Sequence, residues 1–187
     1  MLIAQQKKKE NIAEYLLYMW QVEDLLRACQ LDDQQIEQLL VGRFRALDGV
    51  AEPQLEQIRL WYFQLRDMLL TEGKRESGHL QITQNVLIDL TDLHLHLLKQ
   101  GQDAIYTSCF YSTLPYIVEL RGKEGEEKVG ELETCFTALY GLLLLRMQKK
   151  EVSEQTQVAM NQISKFLGLL SEKYKEWKAG NLKFEDE

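Results

Sequence analysis

Apolar residues recur at intervals of three and four along most of the chain, and a period of two persists nowhere, so the pattern predicts helices and no strands. The opening helix, Ile12 to Cys29, is apolar on nearly every side. At about 100° per residue, Ile12, Leu16, Met19 and Leu26 fill one arc, and Leu17, Tyr18 and Leu25 cover much of the rest. Two charged residues, Glu23 and Arg27, fall inside the most apolar arc. Asp32 or Asp33 is placed to cap a shorter helix with the seam Ile36, Leu40, Phe44 and Leu47, ending at Asp48 and Gly49. Pro53 suits a first helical turn, where its missing N–H goes unused. The helix it opens carries Leu55, Ile58, Tyr62, Leu65 and Leu69 to a stop at Gly73.

After a polar stretch from Lys74 to Gly78, residues Leu80 to Lys99 give a helix with the seam Val86, Leu90, Leu93 and Leu97, terminated by Gly101. Ile88 and Leu95 lie seven apart on its other side, which places this helix either at the centre of the fold or at an oligomer interface. Asp103 starts the next helix, which Pro115 is expected to kink near Ser112, and Gly122 to Gly125 reads as a charged loop. Val129 to Met147 and a last helix capped by Ser153 follow, the latter with Ala159, Ile163, Phe166, Leu167, Leu170, Tyr174 and Trp177 on one face. An antiparallel hairpin of these two, turning near Glu151, sets Gly168 against Cys135 and Ala138. The expectation is an all-α, six- to seven-helix, mostly antiparallel bundle: one helical domain over residues 1–179 and a frayed acidic tail over 180–187.

Composition narrows the function classes. Apolar residues make up 45% and charged residues 27% of the 187, an ordinary globular balance. The longest apolar run, Phe136 to Leu145, is about half of what a bilayer crossing needs. Lys7, Lys8 and Lys9 are not followed by the apolar stretch of a secretory signal, and Cys29, Cys109 and Cys135 are odd in number and widely separated, which points to free thiols in the cytoplasm. A net charge of −7 without a basic block disfavours nucleic acid, because phosphate neutralisation supplies most non-specific affinity.

Few residues offer chemistry. His94 and His96 diverge by about 200° on a helix and cannot share one ion. His94 falls in the apolar arc and reads as a core imidazole bonded to a neighbouring helix; His96 shares an edge with Asp89 and Asp92 that could hold a cation but is read as solvated charge. The Glu-x-x-His spacing of a di-iron bundle occurs only at Glu76 and His79, between helices. A Mg²⁺-dependent nucleotide hydrolase would have to draw on Asp89 with Asp92 and Glu127 with Glu131. No phosphate loop, nucleophile elbow or paired-cysteine motif occurs, so no cofactor is expected and the chain leans away from enzymes. Glu23 and Arg27 stand in i, i+4 order and read as a buried ion pair that fixes helix register. The alternative is a polar pocket lined by Trp20, Glu23, Arg27, Arg59 and Arg66.

The segment from Lys9 to Ala28, KENIAEYLLYMWQVEDLLRA, resembles the opening of a bacterial domain-of-unknown-function family of similar length. The resemblance implies a small, all-helical cytosolic protein and carries over no functional residue. Taken together, the expected function is non-enzymatic: protein binding, including binding to itself, through an apolar helical face such as that of Ile88 and Leu95. A small-molecule site or Mg²⁺-dependent hydrolase is the alternative.

Overall fold

The computed structural model describes residues 2–47, 49–124 and 129–182, and among them every regular element is a helix. The helices are α1 (Leu2–Glu10), α2 (Ile12–Ala28), α3 (33–45), α4 (Glu52–Thr71), α5 (Gln81–Gln100), α6 (Ala104–Glu124), α7 (Glu131–Met147) and α8 (Glu154–Lys178). The eight exceed the predicted six or seven by α1. Its sequence, rich in Gln and Lys, favours helix intrinsically but lacks an apolar stripe for periodicity to detect. No described helix is long and apolar enough to cross a membrane.

Local signals set most of the boundaries. Asn11 Oδ1 accepts from the amides of Ala13 (3.0 Å) and Glu14 (3.1 Å) at the start of α2. Asp32 accepts from Gln35 N at 2.9 Å to start α3, and Ser153 accepts from Thr156 N at 3.2 Å to start α8. Pro53 sits in the first turn of α4, where Gln54 reaches back to the Ala51 amide. That helix closes with Gly73 in the left-handed region at φ +68°, which lets Lys74 N reach Leu69 O at 2.8 Å.

The chain divides into two compact units. The first comprises residues 1–7 and 18–85, and Met19, Leu26, Ile36, Val41, Leu65 and Leu69 belong to its core. The second comprises residues 8–17 and 86–187, with Leu16, Leu90, Leu93, Phe136, Ile163 and Phe166 fully or nearly fully buried. Within it α8 packs against α6 and α7, and the buried stripe of α8 is close to the predicted one. The division falls inside helices rather than at a linker, which is why composition gives no sign of it.

Three expectations are corrected. Residues Ile36–Val41 of α3 form a π-helical stretch in which Gly42 N donates to Glu37 O, five residues back. The seam shifts accordingly: Ile36, Leu40 and Val41 are buried, Phe44 is half-buried, and Leu47 is 57% exposed. The predicted end at Asp48 lies outside the described residues. Pro115 does not break α6, which runs unbroken to Glu124. The hydroxyls of Ser112 and Thr113 bond back to the Ser108 (2.8 Å) and Cys109 (2.7 Å) carbonyls beside it. The predicted loop thus begins as helix, and Gly125 lies outside the described residues. Gly168 is not a close-approach point against α7. A Cβ there would meet nothing within 4 Å, and the residue lines an open groove with Ala104 and Cys109 of α6. Of the predicted tail, residues 183–187 lie outside the described part.

Candidate functional site

The charge in the apolar arc of α2 is buried, and its partners lie elsewhere than the sequence suggested. Glu23 is 0% exposed. Its Oε2 lies 2.7 Å from His79 Nδ1, and its Oε1 accepts from the backbone amide of Leu80 at 3.2 Å. The Thr83 hydroxyl stands 3.1 Å from the same Oε1 and 2.7 Å from the Leu80 carbonyl, so one proton faces two acceptors. Leu80 N and Thr83 belong to the opening of α5, where helical amides lack intrahelical partners. A carboxylate from α2 therefore does for α5 what a local capping residue does for α3 and α8. The His79 ring lies flat on Trp20, with centroids 4.0 Å apart and planes 11° apart, and is about a third exposed.

Arg27 is not the partner of Glu23. Its Nε donates to the Lys74 carbonyl at 3.2 Å, its Nη2 donates to the Gly78 carbonyl, and its Nη1 pairs with Asp24 at 2.8 Å. The guanidinium thus holds both ends of the 74–78 connection, and Gly78 takes φ +84° beside it. Arg59 bonds Glu37 through Nε and Nη2, both at 2.7 Å, and also Glu56; this pairing holds the Glu37 carboxyl below its ordinary range. Arg66 pairs with Asp33 and Asp67. Of the five residues proposed as one polar cluster, the structure joins Trp20 and Glu23 through His79. Arg27 serves the adjoining loop, and Arg59 and Arg66 bond other carboxylates. Periodicity overlooks His79 and Thr83 because the contact spans more than fifty residues. The one available signal was a buried acid that needed partners.

The histidines of α5 separate as their spacing requires. His94 is buried, with Nδ1 2.6 Å from the Tyr106 hydroxyl and its ring edge-on to Phe110 at 4.7 Å and Phe166 at 5.6 Å. Burial lowers its pKa from 6.5 to about 4 and keeps the Tyr106 hydroxyl protonated, so both are neutral at pH 7. His94 Nε2 has no hydrogen-bond partner; Glu131 Oε2 is 3.8 Å away. His96 is exposed, with Nδ1 2.7 Å from the Asp92 carbonyl. Asp89 takes the Lys178 ammonium at 2.9 Å and the Tyr174 hydroxyl at 3.3 Å, which puts a cation of the protein's own at that carboxylate. Among the described residues no three His, Cys, Asp or Glu side chains are grouped to hold a metal, so Asp89, Asp92 and His96 are not gathered into the cation site considered above. Glu127 lies outside the described residues.

Ile88 and Leu95 are 54% and 56% exposed on α5. They are not central: the seam of Val86, Leu90, Leu93 and Leu97 faces the core and this pair faces out.

Fold and geometry define an all-helical protein whose buried polar contacts hold helices in place. A profile for the domain-of-unknown-function family DUF4924 matches residues 1–181, nearly the whole chain, and the protein belongs to that family. No curated protein and no solved structure matches the chain.

Proposed function

We propose that the protein is a non-enzymatic interaction module that associates with a second copy of itself through the outer face of α5. The observation that carries this is the pair Ile88 and Leu95, two large aliphatic side chains more than half exposed and seven residues apart on one helix. Asp92 and Lys99 share that face at the same spacing and are exposed. In an antiparallel pairing about a two-fold axis near Leu95, the Leu95 side chains meet, and each Asp92 lies across from the Lys99 of the other copy. One helix face with two aliphatic anchors suits a weak, reversible dimer.

The remaining chemistry supports a binding role. Glu23, the most buried carboxylate, has its oxygens committed to Leu80, Thr83 and His79 within the fold. Free thiols at Cys29, Cys109 and Cys135 suit the reducing cytoplasm, and the net charge of −7 disfavours polyanionic partners such as nucleic acid.

Sedimentation velocity on the intact protein, from micromolar to millimolar concentration, tests the reading. The expected result is a sedimentation coefficient that rises with concentration for the wild type and stays at the monomer value for the Ile88→Glu, Leu95→Glu variant. A wild type that remains monomeric throughout refutes it, as does a dimer that the double substitution leaves intact.

A further inference from the structure

The first unit contains a cavity of about 180 Å³, remote in sequence from the α5 face and unused by the reading above. Tyr18 of α2 and Trp61 of α4 stand on its wall as nearly parallel rings, 9° apart in plane with centroids 6.4 Å apart. Tyr62 and Phe44 complete an aromatic lining, tilted against each other by 48° with centroids 6.5 Å apart, and Ile58 adds an aliphatic side. Tyr18, Phe44 and Trp61 are all half-buried, an incomplete burial that is unusual for aromatic side chains gathered on one hollow.

We propose that this cavity is a binding site for a neutral, flat, single-ring aromatic small molecule. Three observations select that class. An apolar cavity of ~150 Å³ is known to accept benzene, so about 180 Å³ admits one six-membered ring with a small substituent and excludes large fused systems. The parallel Tyr18 and Trp61 faces favour a planar guest lying alongside them, while the tilted Tyr62 and Phe44 rings offer edge contacts. The lining has no charged side chain, and its polar members are the amides of Gln54 and Gln57. A charged ligand would lose its hydration without a counter-charge. Gln54 Oε1 already accepts from the Ala51 amide, which leaves its NH₂ group to donate to a carbonyl, hydroxyl or ring nitrogen on the guest.

The experiment titrates the intact protein with benzamide and follows the indole N–H resonances of its tryptophans by NMR. Benzoate, cyclohexanecarboxamide and a capped phenylalanine amide serve as comparison probes. Benzamide is expected to shift the Trp61 resonance with a dissociation constant in the submillimolar to millimolar range, the scale for so few atoms. Benzoate, of the same shape but charged, is expected to bind at least about tenfold more weakly, and the saturated ring similarly. Ile58→Trp fills the cavity while keeping an apolar residue on α4 and should abolish the shift; Gln57→Glu, at an exposed position, should weaken benzamide without unfolding the chain. The absence of a saturable Trp61 shift in the wild type overturns the proposal, as does binding that survives Ile58→Trp in a variant with a native spectrum. Tighter binding of the capped phenylalanine amide than of benzamide would reassign the cavity to an aromatic side chain of a partner and equally overturn it.

Discussion

Acidification should destabilise this protein through His94 before its carboxylates are protonated. The unfolded imidazole titrates near 6.5, whereas burial among Tyr106, Phe110 and Phe166 lowers the folded value to about 4. Between those values the unfolded chain binds the proton more readily than the native one, so stability falls as pH falls. The contribution is complete above 6.5, declines by about 1.4 kcal/mol per pH unit below it, and is exhausted near 4, a total of about 3 kcal/mol. That is a sizeable share of a typical folding free energy. Asp103, whose carboxyl is lowered by the Tyr106 amide and Lys173, also loses its contribution on acidification, so a reference is needed. His94→Gln supplies it: the amide can still bond the Tyr106 hydroxyl but does not titrate. Urea unfolding of both proteins from about pH 7 to about pH 4 should show a stability gap that favours the wild type at neutral pH and shrinks by about 3 kcal/mol across the window. A gap independent of pH, or an NMR titration that puts His94 near 6.5, refutes the reasoning.

Two further outcomes follow from the buried polar contacts and the thiols. Glu23→Ala leaves the Leu80 amide and His79 without their acceptor and should cost about 3–5 kcal/mol in urea unfolding, whereas Glu23→Gln, whose carbonyl can still accept from Leu80, should cost less; a cost under about 1 kcal/mol for alanine would show the contact to be dispensable. Maleimide at neutral pH, read by mass spectrometry, should label half-buried Cys109 well before Cys135, whose thiol is fully buried and pushed up to about 12 by that burial; equal rates in the native protein contradict this.

Fold class was legible because seams of three and four are long and local. Leu55 to Leu69, and Ile163 to Tyr174, read as helices from the chain alone and are helices with those residues inside. The caps Asp32 and Ser153 are local as well. What escaped was whatever depends on distant parts of the chain or on departures from ideal period. The Glu23 site is half visible: an acid in an apolar arc is conspicuous, but its real partners, His79, Leu80 and Thr83, lie on a segment that no spacing rule connects to α2. Arg27, one helical turn away, was the natural local guess. It is drawn instead to carbonyls at Lys74 and Gly78, acceptors that every residue possesses and that no sequence pattern singles out. The aromatic cavity was hidden for a related reason: Tyr18, Phe44 and Trp61 sit on three different helices, and the position of Phe44 depends on a non-α turn.

That turn has a consequence for how this protein tolerates changes in length. The stretch Ile36–Val41 holds one residue more than α geometry needs, so deleting a residue there can restore ordinary hydrogen bonding and leave a sound helix. Everything downstream on α3 would nonetheless rotate by about 100°, carrying Phe44 off the cavity wall and Val41 out of its buried place. The same deletion is thus mild for helix content and severe for the hollow that α3 helps to line. The spare residue sets the phase of α3, and that phase determines which side chains the cavity receives.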